Sequence, residues 1–229
     1  MAEGILEYAK KHRNVDYLHV WLADGSRNHC ECESCQKARP SDFYLMIMNE
    51  LDEILTARGL ATRIVFIVYV DTLFAPQFAR IKNPKRFSML FAPITRSYSS
   101  SVTEDSLVLP PPEYVRNHWK RPKGAQENLA FLREWQKTWT GPGFSYEYHF
   151  WKHQFFDPGM LYISRRIYED IRSLKSLILF GIRGVAAYAY HAAVLGYKDE
   201  TIHQFLYKAL IAIGMDDWGM EELLPIVLE

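Results

Sequence analysis

Five near-continuous apolar runs, each stopping at a polar residue, govern the architectures open to this chain. Tyr17–Ala23 (YLHVWLA) ends at Asp24-Gly25, and Arg63–Val70 (RIVFIVYV) ends at Asp71. Phe87–Ile94 ends near Arg96, Phe144–Tyr148 runs into His149, and Gly184–Tyr190 ends at His191. Such runs suit strands covered on both faces, as in a parallel sheet. Helical patterns separate them. Glu3–His12 precedes the first run. Ser41–Arg58 follows it, with Ser41 as N-cap, Gly59 as the stop, and Leu45, Met48, Leu51 and Leu55 at helical spacing. Asn128–Thr138, Ser164–Leu179, Thr201–Ile213 and Met220–Leu228 continue the alternation.

Strand–helix alternation predicts an α/β protein with a parallel sheet and right-handed crossovers. Doubly wound sheets and β/α barrels both satisfy it. No G-x-G-x-x-G follows the first strand and no G-x-x-x-x-G-K-[ST] occurs, so nucleotide-binding open sheets lose weight. The expectation is a parallel (β/α) barrel of TIM type in partial form, with about five strand–helix units where a closed barrel has eight. It forms a single domain over residues 1–229, with a long loop at 97–123 that holds a serine cluster and Pro110-Pro111-Pro112. An unclosed sheet edge invites association, so a homo-oligomer is expected.

Charge and hydropathy narrow the partners. Lys+Arg and Asp+Glu are both 27, which argues against a nucleic-acid partner, since such a protein needs a net basic face. No apolar run reaches the ~18 residues of a membrane span. Met1–Lys10 lacks the basic-then-apolar order of a signal peptide, which gives a cytoplasmic expectation. Aromatic residues make up 14% of the chain and suit stacking on flat ligands, sugars included.

The stretch HVWLADGSRNHCECESC, followed by SDFYLMIMNELDEIL and RIVFIVYVDTLFAP, resembles the domain-of-unknown-function 4838 family. RFSMLFAPITRSY and YEYHFWKH fit the same pattern in order, so the resemblance covers most of residues 15–190. Its most specific part is Asp-Gly followed by C-x-C-x-x-C. Proteins of this kind look like glycoside-hydrolase barrels, related at the fold level to hexosaminidases and α-glucuronidases. They carry strands upstream of the Asp-Gly strand, where this chain has room for one helix. The resemblance therefore implies the C-terminal part of a longer barrel.

Strand-end carboxylates are the candidate acid/base groups. Asp24 sits where an apolar strand stops, and partial desolvation there would raise its pKa as a general acid requires. The alternative is an Asp-Gly turn. Glu147 lies amid apolar residues and must face a pocket or a partner. Period-two alternation puts Ser145, Glu147 and His149 on one face. The alternative is a structural ion pair, with Arg96 as the partner. Asp71, Arg96, His149, Trp151, Tyr190 and His191 are candidate substrate-binding residues beyond strand ends. Trp119 and Trp151 are the better sugar-stacking candidates. These residues, the aromatic content and the resemblance together predict a glycoside hydrolase or carbohydrate-binding barrel. The alternative is a non-catalytic partial-barrel scaffold that associates through its strand edges.

Cys30, Cys32 and Cys35 bring three thiolates within reach of one ion, and sulfur ligands favour zinc. The expected role is structural, pinning the loop that carries Asp24, with adjacent His29 poorly placed as a fourth ligand. Reduced packing thiols, or one disulfide plus a spare thiol, are the alternatives.

Overall fold

The computed structural model describes residues 1–102, 109–149 and 161–177. The fifth strand at 184–190, the helices at 201–213 and 220–228, and Trp151, Tyr190 and His191 lie outside the described residues. The described chain is a mixed α/β structure. In order it runs α1 (Ala2–Lys11), β1 (Tyr17–Val20), α2 (Glu33–Gln36), α3 (Pro40–Ala57), β2 (Arg63–Val68), β3 (Phe87–Phe91), α4 (Ala125–Gln136), β4 (Gly143–Ser145) and α5 (Leu161–Leu177). Short 3-10 turns cover Val70–Thr72 and Pro84–Arg86. The four strands form one parallel sheet in the order β1-β2-β3-β4. Among the described residues the sheet is open, and no helix is long and apolar enough to cross a membrane.

The sheet is organised around β2, whose Ile64 to Val68 are all buried. Phe66 meets Tyr44 of α3 and Trp135 of α4, with ring centroids 6.5 and 5.9 Å away. Both helices therefore pack on the same face of the sheet. The Tyr44 hydroxyl accepts the Ile67 amide at 3.0 Å and donates to the Val20 carbonyl, tying α3 to two strands. The opposite face carries His19, Trp21, Phe144 and Tyr146. There His19 and Trp21 lie 5.7 Å apart, and Trp21 and Tyr146 6.4 Å apart.

The strands are shorter than the apolar runs suggest. Pro93 has no amide hydrogen, so β3 cannot extend its ladder past Ala92, whose amide reaches the Val68 carbonyl at 3.0 Å. With β3 finished, the last bond for β4 is Tyr146 N–H to the Phe91 carbonyl, 2.8 Å. Glu147 thus follows its strand rather than lying inside it. Helix α3 starts at Pro40 rather than Ser41, because proline is tolerated at the first helical position. The capping carboxylate is that of Asp42, which accepts the Arg39 amide at 2.9 Å. It also accepts the amides of Gln77, Phe78 and Ala79 at 3.1, 2.9 and 2.9 Å.

Burial pushes the Asp42 carboxyl up, but these four amides outweigh it and hold the group below its ordinary range. A depressed folded-state pKa gives stability that is present above the unfolded value and is lost as pH falls through the folded one. Asp42→Ala is expected to cost about 3 kcal/mol at pH 7. The gap from the unaltered protein should narrow below about pH 4. Urea unfolding at several pH values measures it, and a gap independent of pH contradicts the carboxylate account.

Candidate functional site

The parallel order puts the C-terminal ends of all four strands on one edge, and the connecting segments there are stitched together by a single carboxylate. Asp71 follows β2 and is buried. Its Oδ2 accepts the Arg27 amide at 3.0 Å, and its Oδ1 accepts the Trp119 indole N–H, also at 3.0 Å. The Nε2 of His29 lies 2.9 Å from Oδ2. A carboxylate offers only acceptors, so that nitrogen carries the proton. The segment after β1 and the long loop after β3 thereby meet over the end of β2. Asn117 completes the seam: its Oδ1 accepts the His29 amide at 2.9 Å and its Nδ2 donates to the His29 carbonyl at 2.8 Å. Arg116 donates to the carbonyls of Cys35 and Ala38. Arg27, Val70 and Asn117 adopt φ of 58°, 47° and 60°, the left-handed region that is costly for non-glycine residues and most of all for valine. All three lie in this seam or next to it.

The cysteines sit on the same segment. The ligand atoms of Cys30, Cys32 and Cys35 all lie within 4.8 Å of one another, and the three are free thiols. The short helix α2 starts just after Cys32, which places Cys32 and Cys35 three residues apart on one side of a helical turn. The Cys35 amide, then the neighbouring thiols, push the Cys32 thiol down to about 7. Hydrogen bonding to Cys32 and then to Cys30 pushes Cys35 up to about 11. Among the described residues no histidine or carboxylate joins the group, and His29 is turned to Asp71 instead. Three thiolates so placed can hold a soft cation.

Ser145, Glu147 and His149 do come together, in a buried network. Glu147 is 1% exposed. Its carboxylate accepts Arg96 Nη1 at 3.0 Å, the Tyr98 hydroxyl at 2.9 Å and the Ser145 hydroxyl. Arg96 Nη2 reaches both oxygens of Asp170 at 2.7 Å, and His149 Nε2 lies 3.0 Å from Asp170 Oδ2. Burial opposes ionisation of Asp170, yet the His149 hydrogen bond and the Arg96 charge hold its carboxyl below the ordinary range. Arg96 is itself held protonated against burial by Glu147 and Asp170. The ion-pair alternative for Glu147 therefore describes the geometry, with its carboxylate facing the Arg96 guanidinium. Sequence reasoning missed Asp170. The available signal was its position seven residues after Ile163 and three after Ile167, on the buried stripe of α5.

Asp24 is exposed at the rim of two cavities, of about 1000 and about 460 Å³, and accepts the Tyr69 hydroxyl at 2.8 Å. Asp71 lines the smaller cavity, while Arg96 reaches the edge of the larger one with its guanidinium engaged elsewhere. Trp119 is buried on Asp71 and offers no open stacking face.

No family model matches the chain, and no solved structure matches it. A stretch of 61 residues is 51% identical to a hydroxylamine reductase of Methanosarcina mazei, 54% to one of Methanococcus vannielii and 49% to one of Thermoanaerobacter pseudethanolicus. The stretch is 27% of this chain and spans only 11% of each of those relatives. These matches overturn the glycoside-hydrolase and carbohydrate expectation, because the similar proteins are named as reductases. Glu147 is buried against Arg96 Nη1 at 3.0 Å.

Arg96→Met leaves Glu147 and Asp170 buried without their cation. A loss of about 3–5 kcal/mol is expected, read by chemical denaturation. A loss below about 1 kcal/mol would match an exposed pair and contradict the buried network.

Proposed function

We propose that this chain is a metal-thiolate protein of a redox setting, which holds a zinc ion through Cys30, Cys32 and Cys35. The observation that carries the reading is the convergence of three sulfurs within 4.8 Å. Thiolates bound to one tetrahedral zinc at about 2.3 Å lie about 3.8 Å apart, so a small closure of the segment seats the ion. The fourth position falls to a ligand beyond this trio. The ion serves a structural purpose: it fixes the segment between β1 and α3, which carries Asp24, Arg27 and His29. The relatives named hydroxylamine reductase favour the redox setting. At 11% of their length, the shared stretch does not bring their reaction with it.

The barrel belongs to the same proposal. Strand order follows chain order without reversal, and α3 and α4 pack on one face of the sheet. A singly wound β/α barrel has both properties, whereas a doubly wound sheet reverses its order and carries helices on both faces.

A second reading, thiol redox chemistry, is favoured by one observation. A Cys32 thiol near 7 beside a Cys35 thiol near 11 makes Cys32 the reactive thiolate at neutral pH.

Metal analysis of the reduced, purified protein separates the two. About one zinc per chain is expected, lost in Cys32→Ser and in Cys35→Ser, with cobalt giving thiolate charge-transfer absorption in its place. Metal-free protein whose Cys32 is alkylated with a midpoint near pH 7 selects the thiol reading. Metal-free protein without that midpoint contradicts both.

A further inference from the structure

The larger cavity, of about 1000 Å³, opens where β1, β2 and β3 end, and its lining has a charge that neither the metal nor the buried network uses. Arg27 comes from the segment after β1. Lys120, Arg121 and Lys123 come from the long loop after β3. Against these four cations stands one acid, Asp24, whose carboxylate is bonded by the Tyr69 hydroxyl. None of the four cationic side chains forms an ion pair among the described residues. The whole chain has a formal charge of zero, so this concentration of one sign is a local feature. Like charges gathered around a concave, low-dielectric wall focus a field that attracts an anion.

The frame is built rather than floppy. Arg121 donates to the Ser26 hydroxyl at 2.8 Å, the Ser97 amide reaches the Lys123 carbonyl at 2.6 Å, and the Arg27 amide is fixed on Asp71. Left-handed backbone at Arg27 holds that residue in place at a conformational cost that the seam offsets. The cavity lies beyond the carboxyl ends of parallel strands, where α/β sheets bind ligands. Tyr69 adds a partly exposed flat wall. The volume stands at the upper end of the range for small-molecule sites.

We propose that this cavity binds a small organic anion, bearing carboxylate or phosphate, through Arg27, Lys120, Arg121 and Lys123. The charge of the ligand is met by the four side chains, and its organic part lies against Tyr69. None of Cys30, Cys32 and Cys35 lines the cavity.

Calorimetric titration with citrate and with inorganic phosphate, at matched ionic strength in sodium chloride, tests this. Saturable binding of at least one of the two is expected. Tighter citrate assigns carboxylate and tighter phosphate assigns phosphate. In the doubly substituted R27Q/R121Q protein, affinity should fall about tenfold or more. K85Q, an exposed lysine elsewhere, should leave it unchanged. If R27Q/R121Q fails to fold by circular dichroism, K120Q/K123Q gives the same reading. No saturable binding of either anion overturns the proposal, as does an affinity unchanged in a folded cavity variant or equally weakened by K85Q.

Discussion

The buried carboxylate of Asp71 is the constraint on which the functional edge depends. A carboxylate out of water must be surrounded by donors, because its desolvation is otherwise unaffordable. Those donors are an amide, an imidazole and an indole, supplied from 44, 42 and 48 residues away. Satisfying one ion at the end of β2 therefore brings the segment after β1 and the long loop after β3 to one place. The cysteine trio and the cationic cavity both take their positions from that meeting. The left-handed residues at Arg27, Val70 and Asn117 show how tightly the backbone is held there.

The second buried ionic cluster, Arg96 with Glu147 and Asp170, acts at the other side of the same edge. It joins the end of β3, the end of β4 and helix α5. Two carboxylates share one guanidinium, with Ser145, Tyr98 and His149 taking the remaining acceptor directions. The carboxylates are well supplied with donors, while Arg96 Nε and His149 Nδ1 find no hydrogen-bond partner among the described residues, so the cluster specifies how the helix docks more than it adds stability. Asp24 and the lysine–arginine segment line the larger cavity outside both ionic knots.

Four parallel strands and the helices α1, α3, α4 and α5 were legible because burial on both faces writes long apolar runs, separated by helical patterns, into the sequence. The strand ends were not, since they depend on where a neighbour stops: Pro93 ends β3, and β4 ends with it. The pairing of Glu147 with Arg96 was readable as an alternative, because a charge in an apolar run needs a partner. Asp71 read as a weak ligand-binding candidate, because nothing in a strand-end aspartate tells whether its donors come from a ligand or from distant chain. Cysteine proximity followed from spacing alone. The cations at Lys120, Arg121 and Lys123 were passed over, since a charged run in a loop looks like a solvated surface until a cavity is seen behind it.

Asp71 holds the long loop through the Trp119 indole. Solvent exchange of that indole proton, followed by NMR, tests it most directly. Slowing by about a hundredfold or more relative to a free indole is the expected result, since exchange then needs the seam to open. Exchange at the free-indole rate would show that the loops are not joined there, and the account of the site would fail with them.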